Sequence, residues 1–415
     1  MSTWRETTLG ELCEGIFDGP HATPSPSAVG PIFLGIDRLE SGRLNLSDVR
    51  HISEADFPRW TRRVLPREGD IVFSYETRLG QAALIPANIR CCLGRRMGLL
   101  RVNRSKADPT FLLYAYLGPD FQDIIRQRTI HGSTVERIAL TELPSFPIRI
   151  PDLPIQKLIG SLLGNLDDKI HNNRQSAHLL EEMSQALFKS WFVDFDPVVA
   201  KSGGRKPCGM SDDIAALFPD SFEESDLGAV PKGWRVEKIE NLVTRISVTK
   251  KYDQKTAAPK GRVPILDQGR SGLIGFHNGE PDVEASAVDP VIVFANHTCY
   301  MRLLSFPFSA IQNVLPFRGN RVDTVWLYRA TFNIQEFISY KGHWPDFVFN
   351  KIVVPCDKLQ AVYRALALPL FQKIWALDEE NRVLHQCRDA LLPALLSGDC
   401  ADGITPQLAQ EATAA

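Results

Sequence analysis

Residues 159–191 read IGSLLGNLDDKIHNNRQSAHLLEEMSQALFKSW. Ile159, Leu163, Leu166, Ile170, Asn173, Ala177, Leu180, Ser184, Leu187 and Trp191 step through this stretch by fours and threes without a break. Such spacing keeps one stripe of a helix facing a partner, so the run predicts a long helix packed along its length. A second run repeats the steps 204 residues later, through Tyr363, Ala367, Leu370, Ile374, Leu377, Asn381, Leu384, Arg388, Leu391 and Leu395. Pro369 lies inside it, has no N–H to donate and crowds the preceding turn. It predicts a break or kink near Ala367 and Leu370, with the segment before it a separate short helix.

Run antiparallel, the two seams mate with residue numbers summing to 554. Ile170 then meets Leu384, Leu180 meets Ile374, Leu187 meets Ala367, and Asn173 meets Asn381. A buried Asn pair fixes register at some cost in stability. At ~1.5 Å per residue, a helix of this length is a spacer of about 50 Å.

Outward from the helices, the chain reads as one unit used twice. WRETTLGELCEGI begins at Trp4 and WRVEKIENLVTRI at Trp234. GDIVFS (Gly69–Ser74) and DPVIVFA (Asp289–Ala295) each place a turn pair before an apolar run of strand type. FPIRIP ends at Pro151 and NKIVVP at Pro355, each just before a helical seam. The expected partition is a first domain over 1–150, a spacer helix over 151–193 and a connector over 194–230. A second domain over 231–355, a second helix over 356–398 and a disordered tail over 399–415 complete it. The expected fold class is α+β, two mixed α/β domains separated by two long antiparallel helices with internal pseudo-twofold repetition.

With 415 residues, 44% hydrophobic and 23% charged, the chain can build real cores, which excludes disordered and fibrous classes. The longest apolar runs fall short of a membrane span, and the start lacks a signal-peptide pattern. Eight cysteines without a CxxC fit neither a disulfide scaffold nor a zinc site, so the expectation is a reduced, cytoplasmic protein. The formal charge of −2 hides a division. Residues 1–150 carry 19 basic and 17 acidic side chains, net +2, and residues 228–355 carry 16 and 11, net +5. Residues 151–227 carry 7 and 13, net −6, and residues 356–415 carry 5 and 8, net −3. Two basic lobes on acidic helical arms suit bipartite binding to a polyanion, although Arg and Lys runs are also ordinary solvated faces.

Catalytic patterns are missing. The chain has no Asn/Asp-Pro-Pro-aromatic methyltransferase pocket, phosphate loop, HExxH or GxSxG. Asp167-Asp168-Lys169 imitates part of a metal-dependent nuclease. Lying between Leu166 and Ile170 of the seam, it is expected on the exposed side of the helix.

GDIVFS, the run HGSTVERIALTELPSFPIRIPDLPIQKLIGSLLGNLDDKIHNNRQ (His131–Gln175), LFKSWFVDFDPVVAK (Leu187–Lys201) and LFPDSFEESDLGAVPKGWRV (Leu217–Val236) carry a resemblance. From end to end the chain resembles the specificity subunit of a type I restriction–modification system. The resemblance implies a non-catalytic subunit whose two target-recognition domains each read half of a split double-stranded DNA target. The helices would set the unread gap and dock two modification subunits. These partners would bind S-adenosylmethionine and methylate adenine, and a restriction subunit, where present, would use Mg and ATP. No cofactor, metal or membrane is implied for this chain. A two-lobed protein-binding scaffold is the alternative class, and a stand-alone methyltransferase or nuclease a third.

By the same resemblance, His131, Gly132, Ser133, Thr134 and Arg137 lie at a DNA-facing turn. Ser133 and Thr134 equally suit a helix N-cap with Glu136 in its first turn. Tyr75, Thr77 and Arg78 follow the strand GDIVFS in a polar loop, and Arg95 and Arg96 are candidates for phosphate or base contact. In the second half Gln268, Arg270, Asn296, His297 and Thr298 follow apolar runs. There ANHTCY (Ala295–Tyr300) takes the place of SYETR (Ser74–Arg78). Lys341 and His343 stand where the Gly-Ser-Thr turn would be, a departure from the family pattern.

Overall fold

Two helices of 40 and 41 residues, Leu153–Phe192 and Asp357–Ser397, dominate the computed structural model. It describes residues 4–40, 42–132, 135–248, 252–269 and 272–398. Every seam residue expected from the 4-3 spacing is buried or half-buried, because this stripe packs away from water on both helices. The expected tail, 399–415, lies outside the described residues.

Pro369 does not interrupt the second helix. Its ring sits on the exposed side, while Tyr363, Ala367 and Phe371 around it are 0%, 0% and 3% exposed. Burial of those side chains outweighs the missing hydrogen bond, and one helix runs where a break was expected.

The chain divides into two compact units, Met1–Asn172 with Asn381–Ala415, and Asn173–Glu380. The boundaries cross both helices, unlike a partition into separate domains and spacers. The reason is packing: Ile159, Leu163 and Leu395 belong to the first core, and Phe188, Trp191, Phe192, Tyr363, Ala367 and Phe371 to the second.

Within each unit the helix segments run antiparallel. In the first, Asp167 faces Arg388 at 2.8 Å. In the second, Asn173 Nδ2 donates to Glu380 Oε2 at 2.9 Å, and the rings of Phe192 and Tyr363 lie 5.5 Å apart. These contacts fall within one residue of the register summing to 554. Ile170 and Asn381 are buried, and Leu384 is half-buried. Asn173 has the Glu380 carboxylate as a partner that the Asn-pair reading did not include.

The two units share one topology. In the first, an antiparallel sheet orders Cys13–Asp18, Met97–Val102, Ile71–Ser74 and Ala82–Leu84. In the second the order is Val243–Arg245, Val314–Gly319, Val291–Ala295 and Met301–Leu304. A three-stranded sheet with one parallel pair accompanies each: Ser27–Leu34 beside Cys91–Leu93, and Val263–Leu266 beside Ser309–Ala310. A third ladder joins Arg5–Thr8 to Pro147–Ile150 and Arg235–Lys238 to Lys351–Val354, returning the chain to a long helix. Burial pushes the Cys91 and Cys92 thiols up to about 12, as inert core groups.

One hydrogen-bonded clamp recurs in both units. Gln156, 1% exposed, accepts from the Asp108 amide at 3.0 Å and donates to the Pro151 carbonyl at 2.8 Å. Gln360, 2% exposed, accepts from the Asp323 amide at 2.8 Å and donates to the Pro355 carbonyl at 3.0 Å. Asp108 and Asp323 in turn cap the helices Pro109–Leu117 and Thr324–Thr331. One buried amide thus joins the start of each long helix to the capped helix of the same unit.

The connector is more ordered than its Pro- and Gly-rich composition suggests. Helices Asp196–Ser202 and Asp212–Ala216 and the hairpin Phe222–Ser225/Gly228–Pro231 occupy it, held by buried Val198 and Phe218 and by Lys201 on the Ala215 and Phe218 carbonyls. Asp167 also departs from expectation. It is 7% exposed rather than on the solvent side, because the first recognition core covers that flank of the helix.

Gln156→Ala strands the Asp108 amide and the Pro151 carbonyl and is expected to cost about 2 kcal/mol. Hydrogen exchange should accelerate in 108–112 and not in 323–327, and Gln360→Ala should show the reverse. Pro369→Ala is expected to stabilise the second unit by about 2 kcal/mol, read as a higher urea midpoint.

Candidate nucleic-acid interface

The strand Ile71–Ser74 is buried over its whole length, and the chain surfaces only beyond it. Three loops meet at this end. The Tyr75 amide donates to the Arg96 carbonyl at 3.3 Å, and the Tyr75 carbonyl accepts from Ile138 at 2.9 Å. The Thr77 amide donates to the Glu136 carbonyl at 3.2 Å, and Glu76 bridges to Arg137. The backbone thereby gathers the candidates Thr77, Arg78, Arg95, Arg96, His131 and Arg137, far apart in sequence.

Arg96 is held most tightly. Its Nε lies 3.0 Å from Glu76 Oε2, and its Nη1 donates to Thr77 Oγ1 at 3.1 Å. Both residues adopt positive φ, 69° at Arg96 and 70° at Thr77. Non-glycine residues persist there only when their surroundings hold them, a condition that gathers at functional sites. Arg95, beside it, is exposed and makes no ion pair or hydrogen bond with any described side chain. Both arginines line a pocket of about 230 Å³ with Thr23, Phe33, Asp37 and Arg50. The Arg50 guanidinium sits 5.0 Å from the centre of the Phe33 ring. Donor-rich guanidinium groups around an open depression can engage phosphate oxygens or guanine edges. Arg50 and Thr23 escaped sequence reading, since neither lies near a motif.

Other candidates take different places. Tyr75 is 4% exposed within the first core; burial, with Asp18 and Glu76 nearby, pushes its phenol up to about 12. It supports the loop from beneath and does not present a contact, because the strand's alternation turns it inward. Arg78 donates to the Ile36 carbonyl at 2.9 Å, and His131 lies 3.0 Å from Glu136. Ser133 and Thr134 lie outside the described residues. The other basic side chains of the stretch around Arg95 and Arg96 are engaged within the fold: Arg90 pairs with Glu54, Arg101 with Asp70, and Arg104 and Lys106 reach the carbonyls of Glu68 and Glu11.

The second unit gathers its candidates at the equivalent strand end. Gln268 Oε1 accepts from the His297 amide at 2.8 Å, and Thr298 Oγ1 donates to the Gln268 carbonyl at 2.7 Å. His297 Nδ1 lies 2.9 Å from the Lys341 carbonyl, and its ring stacks on Tyr340 with centres 5.1 Å apart. Asn296 accepts from Trp344 and His343, and Lys341 pairs with Asp346 at 2.6 Å. His343 is fully buried and bonded to the Ser339 carbonyl at 3.0 Å, so it secures the loop and does not reach outward. Arg270 lies outside the described residues. Phe337, Ile338 and Tyr340 are exposed on the same loop, at 56%, 74% and 85%.

Matching the two sheets reveals residues that sequence reading missed. Met97 pairs with Ser74 and Val314 with Ala295, so the turn Arg95-Arg96 corresponds to Gln312-Asn313. The backbone agrees: Arg96 receives the Tyr75 amide, and Asn313 receives the Asn296 amide at 2.9 Å. A short polar dipeptide between apolar runs carries no signal until the sheets are superposed.

Among the described residues no His/Cys/Asp/Glu group could hold a metal ion, and no helix is long and apolar enough to cross a membrane. Residues 1–182 match the family described as type I restriction modification DNA specificity domain. The chain is 22% identical to the type I restriction enzyme HindI specificity subunit of Haemophilus influenzae, over 96% of this chain and 100% of that protein. It is 21% identical to the MjaIX specificity subunit of Methanocaldococcus jannaschii, over 84% and 82%. Its fold is similar to the S subunit of a type I restriction–modification system from M. genitalium, with TM-score 0.61, 16% identity and coverage of 95% and 96%. Residues 1–182 thus carry the match to the specificity domain, and over 84–96% of its length the chain is similar to specificity subunits of type I restriction enzymes.

Proposed function

We propose that this chain reads a bipartite duplex target, one half with each unit, and leaves the chemistry to partner subunits. The observation that carries this reading is the repeated strand-end loop cluster. It combines guanidinium groups in the first unit with amides, imidazole and aromatic rings in the second. Cationic side chains there would position phosphates, and the remaining donors would meet base edges. The long helices would set the gap between half-sites. Leu179 and Met183, both 58% exposed, and Val383, 45% exposed, are apolar residues outside the seam suited to docking two modification subunits. S-adenosylmethionine would belong to those subunits, and Mg and ATP to a restriction subunit where present.

The matched turns also set an expectation about bases. Arginine pairs with guanine through N7 and O6, whereas Asn and Gln pair with adenine through N6 and N7. Arg95-Arg96 therefore suits a G·C pair in the first half-site, and Gln312-Asn313 an A·T pair in the second.

Two measurements test this reading. Binding of duplex DNA by the chain with its modification subunits should weaken steeply with salt, and Arg95→Ala with Arg96→Ala should relax the G·C position of the first half by about 1–3 kcal/mol. Salt-independent association would favour a protein-binding scaffold. In a host carrying the complex, sequencing of methylated adenines should reveal a split motif. Gln312→Ala with Asn313→Ala is expected to relax one adenine position of the second half by about 1–3 kcal/mol and leave the first half unchanged.

A further inference from the structure

Besides the glutamine clamp, each core meets its helix segments at a second buried polar junction, and the two second junctions use different chemistry at matching positions. Tyr114 is the sixth residue after the capping Asp108, and Arg329 the sixth after Asp323. In the first unit Tyr114 donates to Asp167 Oδ2 at 2.6 Å, and Asp167 Oδ1 pairs with Arg388 at 2.8 Å. In the second, Arg329 Nε donates to Ser184 Oγ at 3.1 Å and its Nη2 lies 2.7 Å from Glu181. Its guanidinium also lies 5.0 Å from the centre of the Phe371 ring, and Tyr363 Oη is 3.2 Å from Ser184 Oγ.

The offset of 204 that relates the two seams maps Asp167 onto Phe371 and Ser184 onto Arg388. The same three stations, domain helix and two long helices, are therefore occupied as phenol–carboxylate–guanidinium in one unit. In the other they are guanidinium–ring–hydroxyl. Tyr114 is 5% exposed, Asp167 7%, Arg329 5% and Ser184 0%. Apolar contacts around them tolerate small rolls and slides. Hydrogen bonds weaken steeply off line, and a buried charge must keep its partners. The polar junction is thus the part of each contact that selects an angle.

We propose that Tyr114–Asp167–Arg388 and Arg329–Ser184–Glu181 are positioning elements, each holding its recognition core at one angle on the helices and so restricting the gap that the subunit accepts. The proposal rests on the bipartite reading above.

The test uses the complete methylating complex and a plasmid library in which the two mapped half-sites are separated by the native gap or by one base pair more or less. Wild type should methylate the native gap almost alone. Tyr114→Phe, Asp167→Asn and Ser184→Ala should each raise methylation at the altered gaps relative to the native one by about tenfold, equivalent to about 1.4 kcal/mol. The half-site sequences should not change. A junction that merely stabilises the fold would lower methylation at every gap by one factor, and that result would overturn the proposal. Tyr114→Phe and Ser184→Ala each delete a single hydroxyl, so they keep the test open if Asp167→Asn fails to fold. Unchanged gap ratios in both would also overturn it. Failure of the bipartite reading shows separately, as a wild-type complex that methylates no split motif.

Discussion

Everything in this molecule depends on a continuous helical stripe being buried on two sides at once. A seam with 4-3 spacing ordinarily serves one partner. Here Ile159 and Leu163, then Phe188 and Trp191, also complete the cores of the recognition units. The helices are for that reason not free rods between finished domains. Each unit's core is unfinished without the helix segments it covers, which is why the compact units divide across both helices.

This double burial explains what was legible in the sequence. The period of the seams, the antiparallel order and the repeated strands followed from patterns carried by many residues at once. Readings that failed depended on the second flank, which periodicity along one helix does not reveal. Asp167 reads as exposed when only Leu166 and Ile170 are considered, and Tyr114 reverses that. Pro369 reads as a break when only its own turn is considered, and the buried Tyr363, Ala367 and Phe371 override it.

At the strand ends the difficulty is of another kind. The loop positions were found because polar residues follow apolar runs, and the backbone does bring them together. Which side chains face outward was not readable, because Tyr75 and Thr77 would share a face in a continued strand, and the positive φ of Thr77 leaves one buried and the other exposed. Gln312-Asn313 needed the matched register of two sheets whose residues differ almost everywhere, and Arg50 needed the depression that it lines with Arg95 and Arg96. Gln156 and Gln360 were within reach: both stand five residues after the proline that closes a strand.

The clamp and the junctions differ in how they treat the two halves. The glutamine clamp is the same in both, so it works as a common plug by which any recognition core of this topology attaches to a helix start. The junction residues are keyed, since a phenol facing a carboxylate and a guanidinium facing a hydroxyl and a ring are poor substitutes for one another. A first-half core transplanted onto the second-half helices would seat at the clamp, yet bring Tyr114 against Phe371 and Ser184, with the carboxylate at Glu181 instead of at the station of Asp167. Interchangeable attachment with non-interchangeable seating lets loops diversify freely while the order of the two cores along the chain stays defined.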